Sequence, residues 1–173
     1  MLVRADVLRQ AGGIDAIRGA LIDDCALAKK LKQQGPIWLG LTRRAKSLRP
    51  YGGFAAIGRM VSRSAYAELR YSPLLLLGTL IGMVVVYIAP PIITLTPTGA
   101  IGLEAGLVAA TAWMAMALIY QPILSFYHKS SFWGLALPLI GAIYAWFTLV
   151  SAIQHWRGRG GMWKGRAQAW TRA

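Results

Sequence analysis

The stretch Pro73-Leu74-Leu75-Leu76-Leu77-Gly78-Thr79-Leu80-Ile81-Gly82-Met83-Val84-Val85-Val86-Tyr87-Ile88-Ala89-Pro90-Pro91-Ile92-Ile93-Thr94-Leu95 runs for 23 residues without a charge. As a helix it is long enough to cross a hydrocarbon core of ~30 Å. Pro90 and Pro91 lie near its far end, where a break in the helix is tolerable. Charge is arranged around this run. Residues 1–72 hold 13 of the 19 Lys and Arg and five of the six acids. Residues 73–127 hold Glu104 alone, and residues 154–173 hold five Lys and Arg with no acid. The chain therefore divides into a basic head, an apolar middle and a short basic tail.

Toward the C-terminus, a second span is expected within residues 101–120, with Glu104 near one end, where its carboxylate reaches the headgroups. A third is expected from about Phe132 to Ile153, kinked at Pro138. Tyr120, Tyr127, Trp133 and Trp156 sit near span ends, as aromatic belts do. The positive-inside rule places the head in the cytoplasm. Three crossings then put the tail outside, against the same rule. Either its charges are tolerated there, or one segment is re-entrant or interfacial.

Toward the N-terminus, residues 54–72 read as an amphipathic helix. Arg59, Arg63 and Arg70 share a narrow face at ~100° per residue, and Phe54, Ile57, Val61, Ala65 and Leu69 share the other, with Glu68 on the apolar side. A basic amphipathic helix just before a span belongs in the membrane interface. The net charge of +13 fits anionic lipid better than nucleic acid, since the basic residues flank apolar spans and form no patch interleaved with aromatics.

The head, residues 1–53, reads as strand, helix, loop, helix, strand. Met1–Val3 resembles a strand end, and Arg4–Gln10 a short helix stopped by Gly12-Gly13. Ile14–Leu21 is a loop. Asp23-Asp24 open a helix through about Gln34, with Ala26, Leu27 and Leu31 as its apolar stripe and Gly35-Pro36 as its stop. Ile37–Leu41 is a compact strand candidate. Acid at the helix start and Lys29, Lys30 and Lys32 at its end suit the macrodipole, and Asp is a preferred N-cap. Cys25 is the only cysteine; it reads as a small buried residue, and no internal disulfide is possible. No signal peptide is expected at Met1–Asp6.

In order, these pieces resemble the C-terminal part of a family 2 glycosyltransferase with a membrane domain, nearest to the bacterial hopene-associated glycosyltransferases. The likeness rests on Met1-Leu2-Val3-Arg4, Ala11-Gly12-Gly13-Ile14, Ala20-Leu21-Ile22-Asp23-Asp24-Cys25-Ala26-Leu27-Ala28, Gly35-Pro36-Ile37-Trp38-Leu39-Gly40-Leu41-Thr42-Arg43-Arg44, Ser47-Leu48-Arg49-Pro50-Tyr51, Leu69-Arg70-Tyr71-Ser72-Pro73 with the leucines after it, and Trp156-Arg157-Gly158-Arg159-Gly160-Gly161.

The resemblance implies an α/β fragment, the C-terminal part of a GT-A nucleotide-sugar transferase domain, followed by an all-α membrane domain. The divisions are residues 1–53 catalytic, 54–72 an interfacial helix, 73–153 three transmembrane helices and 154–173 a basic tail. The implied activity is inverting transfer of a sugar from a nucleotide-sugar donor to a lipid acceptor at the bacterial inner membrane, with the head cytoplasmic. Asp24, with Asp23 beside it, takes the place of the general base. Gly12 and Gly13 take the place of the bend that faces the acceptor. Arg70 and Tyr71 fall in the frame Ala67-Glu68-Leu69-Arg70-Tyr71, matching the family's Gln-x-x-Arg-Trp with only the arginine kept. That departure argues against a polymer-extruding role. The resemblance also implies a divalent metal, Mg or Mn, whose Asp-x-Asp ligands are absent from this chain, so the chain reads as N-terminally truncated and inactive alone. The rival expectation is a small non-enzymatic three-span protein whose basic head binds lipid or a partner subunit. A weaker one makes Glu104 a functional carboxylate of a transport subunit.

Overall fold

The computed structural model describes residues 1–44, 48, 52–96, 99, 102–163 and 166–167. Two compact units divide the chain: Met1–Gly52 with Gln154–Ala173, and Gly53–Ile153.

In the first unit, α1 covers Ala5–Gln10, a 3-10 turn Asp15–Ile17, and α2 Asp23–Lys32. The expected α/β head is not there. The described residues are mostly helical, and neither 1–3 nor 37–41 is a strand. The physical reason is pairing. An extended segment needs a neighbour for its N–H and C=O groups, and neither has one among the described residues. Trp38 and Leu39 are instead 85% and 98% exposed. The strands that do form are a two-residue pair, β1 (Met162–Trp163) against β2 (Arg166–Ala167), antiparallel and too short to carry a core. The architecture is all-α. Cys25 is exposed, against the expectation of burial.

In the second unit, α3 covers Phe54–Glu68 and α4 Pro73–Met83. A π turn, Val84–Ile88, leads to α5, Ala89–Leu95. Pro90 and Pro91 lack N–H groups and crowd the preceding turn, and a widened turn just before them relieves that. Next come α6 (Leu103–Ile119), α7 (Gln121–Phe126), a 3-10 turn (Ser131–Gly134) and α8 (Leu137–Trp156). Pro138 does not kink the third span. It sits in the first turn of α8, where no amide hydrogen is required. Three helical runs are long and apolar enough to cross a membrane: Pro73–Leu95, Leu103–Phe126 and Leu137–Trp156. Thr94, Thr111 and Thr148 return their hydroxyls to the carbonyls of Pro90, Leu107 and Tyr144. Their hydroxyls are thereby satisfied within their own helices.

The core of this unit joins Tyr66, Leu76 and Ala152, with Leu69 and Leu80 against them. Tyr66 is 1% exposed, and burying a ring of this kind contributes about 2 kcal/mol.

Candidate functional site

The acidic pair opens α2, but neither carboxylate is the N-cap. That position belongs to Ile22, which offers no side-chain bond. Asp23 and Asp24 are the first two helical residues. Asp23 Oδ1 accepts from the Asp24 N–H at 3.0 Å, and Asp24 Oδ1 accepts from the Cys25 N–H at 2.8 Å. Each carboxylate thus takes up an amide that has no partner within the helix. The positive end of the helix dipole stabilises both charges, and Lys29, Lys30 and Lys32 complement the other end. Both aspartates are exposed.

Gly12 and Gly13 make the expected bend. Their φ angles of 90° and 67° are left-handed values that favour glycine. The Gly13 N–H donates to the Leu8 carbonyl, and the Gly12 N–H to that of Arg9, closing α1. A Cβ on Gly12 would stand 3.1 Å from that of Ala16. The bend therefore turns the chain tightly into the 3-10 turn 15–17, which packs on α2. Nearby, Arg4 forks onto Asp6 at 2.6 and 3.2 Å, and this hydrogen bond holds the Asp6 carboxyl below its usual pKa of 3.8.

Arg70 and Tyr71 belong to the second unit, and the helical-wheel expectation for Arg70 does not hold. The helix ends at Glu68, Leu69 is its C-cap, and Arg70 and Tyr71 have φ of 52° and 55°. The Arg70 N–H donates to Ala67 and the Tyr71 N–H to Tyr66, the paired bonds of a Schellman stop. Tyr66 Oη donates to the Tyr71 carbonyl at 2.8 Å, and their rings meet edge to face. Ser72 then caps α4, accepting from the Leu75 N–H, with Pro73 at the first helical position. Arg70 is thus displayed, exposed, at a built corner just before the first span. Tyr71 is partly covered, which pushes its phenol pKa up.

Sequence reasoning missed the face of α3 that packs. Gly58, Ser62 and Tyr66 are its buried residues, and they lie between the apolar and basic faces. Ser62 Oγ donates to the Phe147 carbonyl at 3.2 Å, and Ser151 Oγ accepts from the Tyr66 N–H at 3.0 Å. A Cβ on Gly58 would stand 2.8 Å from the Phe147 ring. The four-residue spacing of small Gly58 and Ser62 is the signal that reveals this seam, because small residues let two helix backbones approach. Phe54, Ile57 and Met60 remain exposed beside it.

A groove of about 410 Å³ in the second unit is lined by Tyr87, Ala112, Ala115, Met116, Ile119, Tyr120 and Leu137. None of the expected site residues lines it. Among the described residues, no three His, Cys, Asp or Glu side chains gather to hold a metal, so the residues present do not fit the implied ion. No family model matches the chain, and no curated protein or solved structure is similar to it.

Proposed function

We propose that the chain works at a membrane as part of a family 2 glycosyltransferase, transferring a sugar from a nucleotide-sugar to a lipid acceptor with inversion. The observation that supports this reading is the local build of Asp24. It is an exposed carboxylate in the first turn of a helix reached through a left-handed double-glycine bend. Asp24 takes the proton of the acceptor hydroxyl as its oxygen attacks the anomeric carbon, and the nucleoside diphosphate leaves from the opposite side. A carboxylate acts this way only within hydrogen-bond reach of that proton, so it must be open to the acceptor. Asp23 anchors the same turn through the Asp24 amide. Arg70 offers a charge-assisted donor to a phosphate. A divalent metal, Mg or Mn, requires ligands from outside the described residues, and no step is assigned to it.

The basic residues ahead of the first span support a cytoplasmic head, and the bacterial inner membrane is what the family resemblance implies. The test is Asp24→Asn in the native protein, assayed for transfer to membrane lipid and for nucleotide-sugar binding. The expected result is loss of transfer by at least ~100-fold, as for removal of a general base, with binding retained. Full transfer by the variant would reduce Asp24 to a helix-terminal charge.

A second reading is a non-enzymatic three-span protein with a lipid-binding basic head. It is favoured by the acidic pair's self-contained hydrogen bonds and by the basic residues on α3. Vesicle binding that depends on Arg59 and Arg63, with no sugar transfer by the native protein, would select it.

A further inference from the structure

The chain has three runs apolar enough to span, yet the contacts between the first and third fix their relative direction. Leu76 and Ala152 belong to one buried cluster, bridged by Tyr66. Further along, Gly141 lies against Tyr87, so close that a Cβ there would stand 2.8 Å from its ring. Going from Leu76 to Tyr87 advances eleven residues along the first run, and going from Ala152 to Gly141 retreats eleven along α8. The two helices are therefore antiparallel and in register over about 16 Å. α8 ends on the membrane face where α4 begins.

We propose that the chain crosses the membrane an even number of times, so that the basic residues before the first span and those after α8 meet the same, anionic leaflet. The middle run is the segment that does not make a separate crossing. It breaks at Tyr120, and Pro122 follows in the first turn of α7. The chain then folds back: Gln121 Nε2 donates to the Ala117 carbonyl at 2.9 Å and to the Ser131 carbonyl at 3.2 Å. Trp113 Nε1 donates to the Leu135 carbonyl at 3.2 Å. A Cβ on Gly134 would stand 2.8 Å from the Ala117 carbonyl, so the returning turn lies directly on α6. The returning turn is exposed from Tyr127 to Trp133 and carries His128 and Lys129, so it belongs at the membrane face opposite the start of α4, with Gln121 and Trp113 satisfying its Ser131 and Leu135 carbonyls. As a result α8 starts part-way along α6: its first residue, Leu137, lines the same groove as Tyr87, Ala112 and Met116. α8 makes the return crossing by itself: in the same register its 20 residues run from opposite Pro91 back to opposite Ser72.

Charge agrees with this geometry. Arg59, Arg63 and Arg70 precede the first span, and Arg157, Arg159, Lys164, Arg166 and Arg172 follow α8. A separate third crossing would divide them between two leaflets, whereas an even number gathers them on the side that positive charge favours. This inference does not depend on the proposed activity.

The test is thiol labelling with a membrane-impermeant maleimide. Cys25, exposed and the only native cysteine, reports the head. In a Cys25→Ser background, Arg157→Cys reports the tail and Gly99→Cys, exposed and in open space, the connection after the first span. The expected result is that Cys25 and Arg157→Cys label in the same vesicle orientation, and Gly99→Cys in the opposite one. Labelling of Arg157→Cys opposite to Cys25 would overturn the proposal. Should a cysteine variant fail to insert, a reporter that fluoresces only in the cytoplasm is fused to each terminus of the native chain. Matching signals support an even number of crossings, and opposite signals overturn it.

Discussion

Arg70 and Tyr71 occupy a backbone region that costs an L-residue about 1–2 kcal/mol, and neither is glycine. The Schellman bonds and the Tyr66 hydroxyl hold them there. Arg70→Gly is therefore expected to stabilise the protein by about 1 kcal/mol, read as a higher midpoint of thermal unfolding in detergent. The same change removes the guanidinium offered to a phosphate, so sugar transfer should fall while stability rises. A purely structural Arg70 would leave transfer intact. Gly58 presents the opposite case. A side chain there meets the Phe147 ring at its Cβ, and Gly58→Leu is expected to cost about 1–3 kcal/mol through overpacking, with Gly78→Leu as a control in open space. Equal midpoints for the two variants would show that the α3–α8 seam does not form.

The corner between α3 and α4 shows what an element owes to its ends. Partial burial of Tyr71 raises the pKa of its phenol, so folding favours the neutral ring. The stabilising contribution is full below the usual tyrosine value of 10.0 and is lost as pH rises through the higher folded value. Alkaline unfolding should therefore show a component that Tyr71→Phe removes, and identical alkaline profiles for the two proteins would contradict the burial. The corner was only partly legible beforehand. Pro73 and the uncharged run announced the span, and Gly12-Gly13 announced a bend, because each signal is local. The reach of α3 was overestimated, since a helical wheel extends to Arg70 as readily as to Glu68, and nothing in the pattern reports that Tyr66 stops it. The packing face was missed for a related reason. A hydrophobic stripe marks where apolar surface lies, whereas α3 docks through Gly58 and Ser62, which carry almost none. The strands at 1–3 and 37–41 failed because a strand is a property of two segments, and periodicity sees one.

At the scale of the molecule, the apolar runs were legible from composition, since crossing a bilayer depends on length and charge alone. Direction was not, because it rests on two contacts, Leu76 with Ala152 through Tyr66 and Tyr87 with Gly141, between residues far apart in sequence. The first run bears the largest share of insertion: it is the longest uncharged segment, and little of it is buried by the rest of the protein, 6% against 28% for α8. Its side chains must therefore be tolerated by lipid rather than sheltered by neighbours. Val85, near its centre and exposed, is where a charge is least tolerable. Val85→Lys is expected to raise the cost of insertion by about 3 kcal/mol, because an ammonium at mid-depth has to snorkel or draw water inward. Val108, also exposed but close to the start of α6, lies within a side chain's reach of the headgroups, so Val108→Lys should cost far less. The fraction of each variant that stays in the membrane pellet after alkaline carbonate extraction makes the comparison. Retention of Val85→Lys equal to that of Val108→Lys would mean that the run 73–95 lies elsewhere than across the hydrocarbon core.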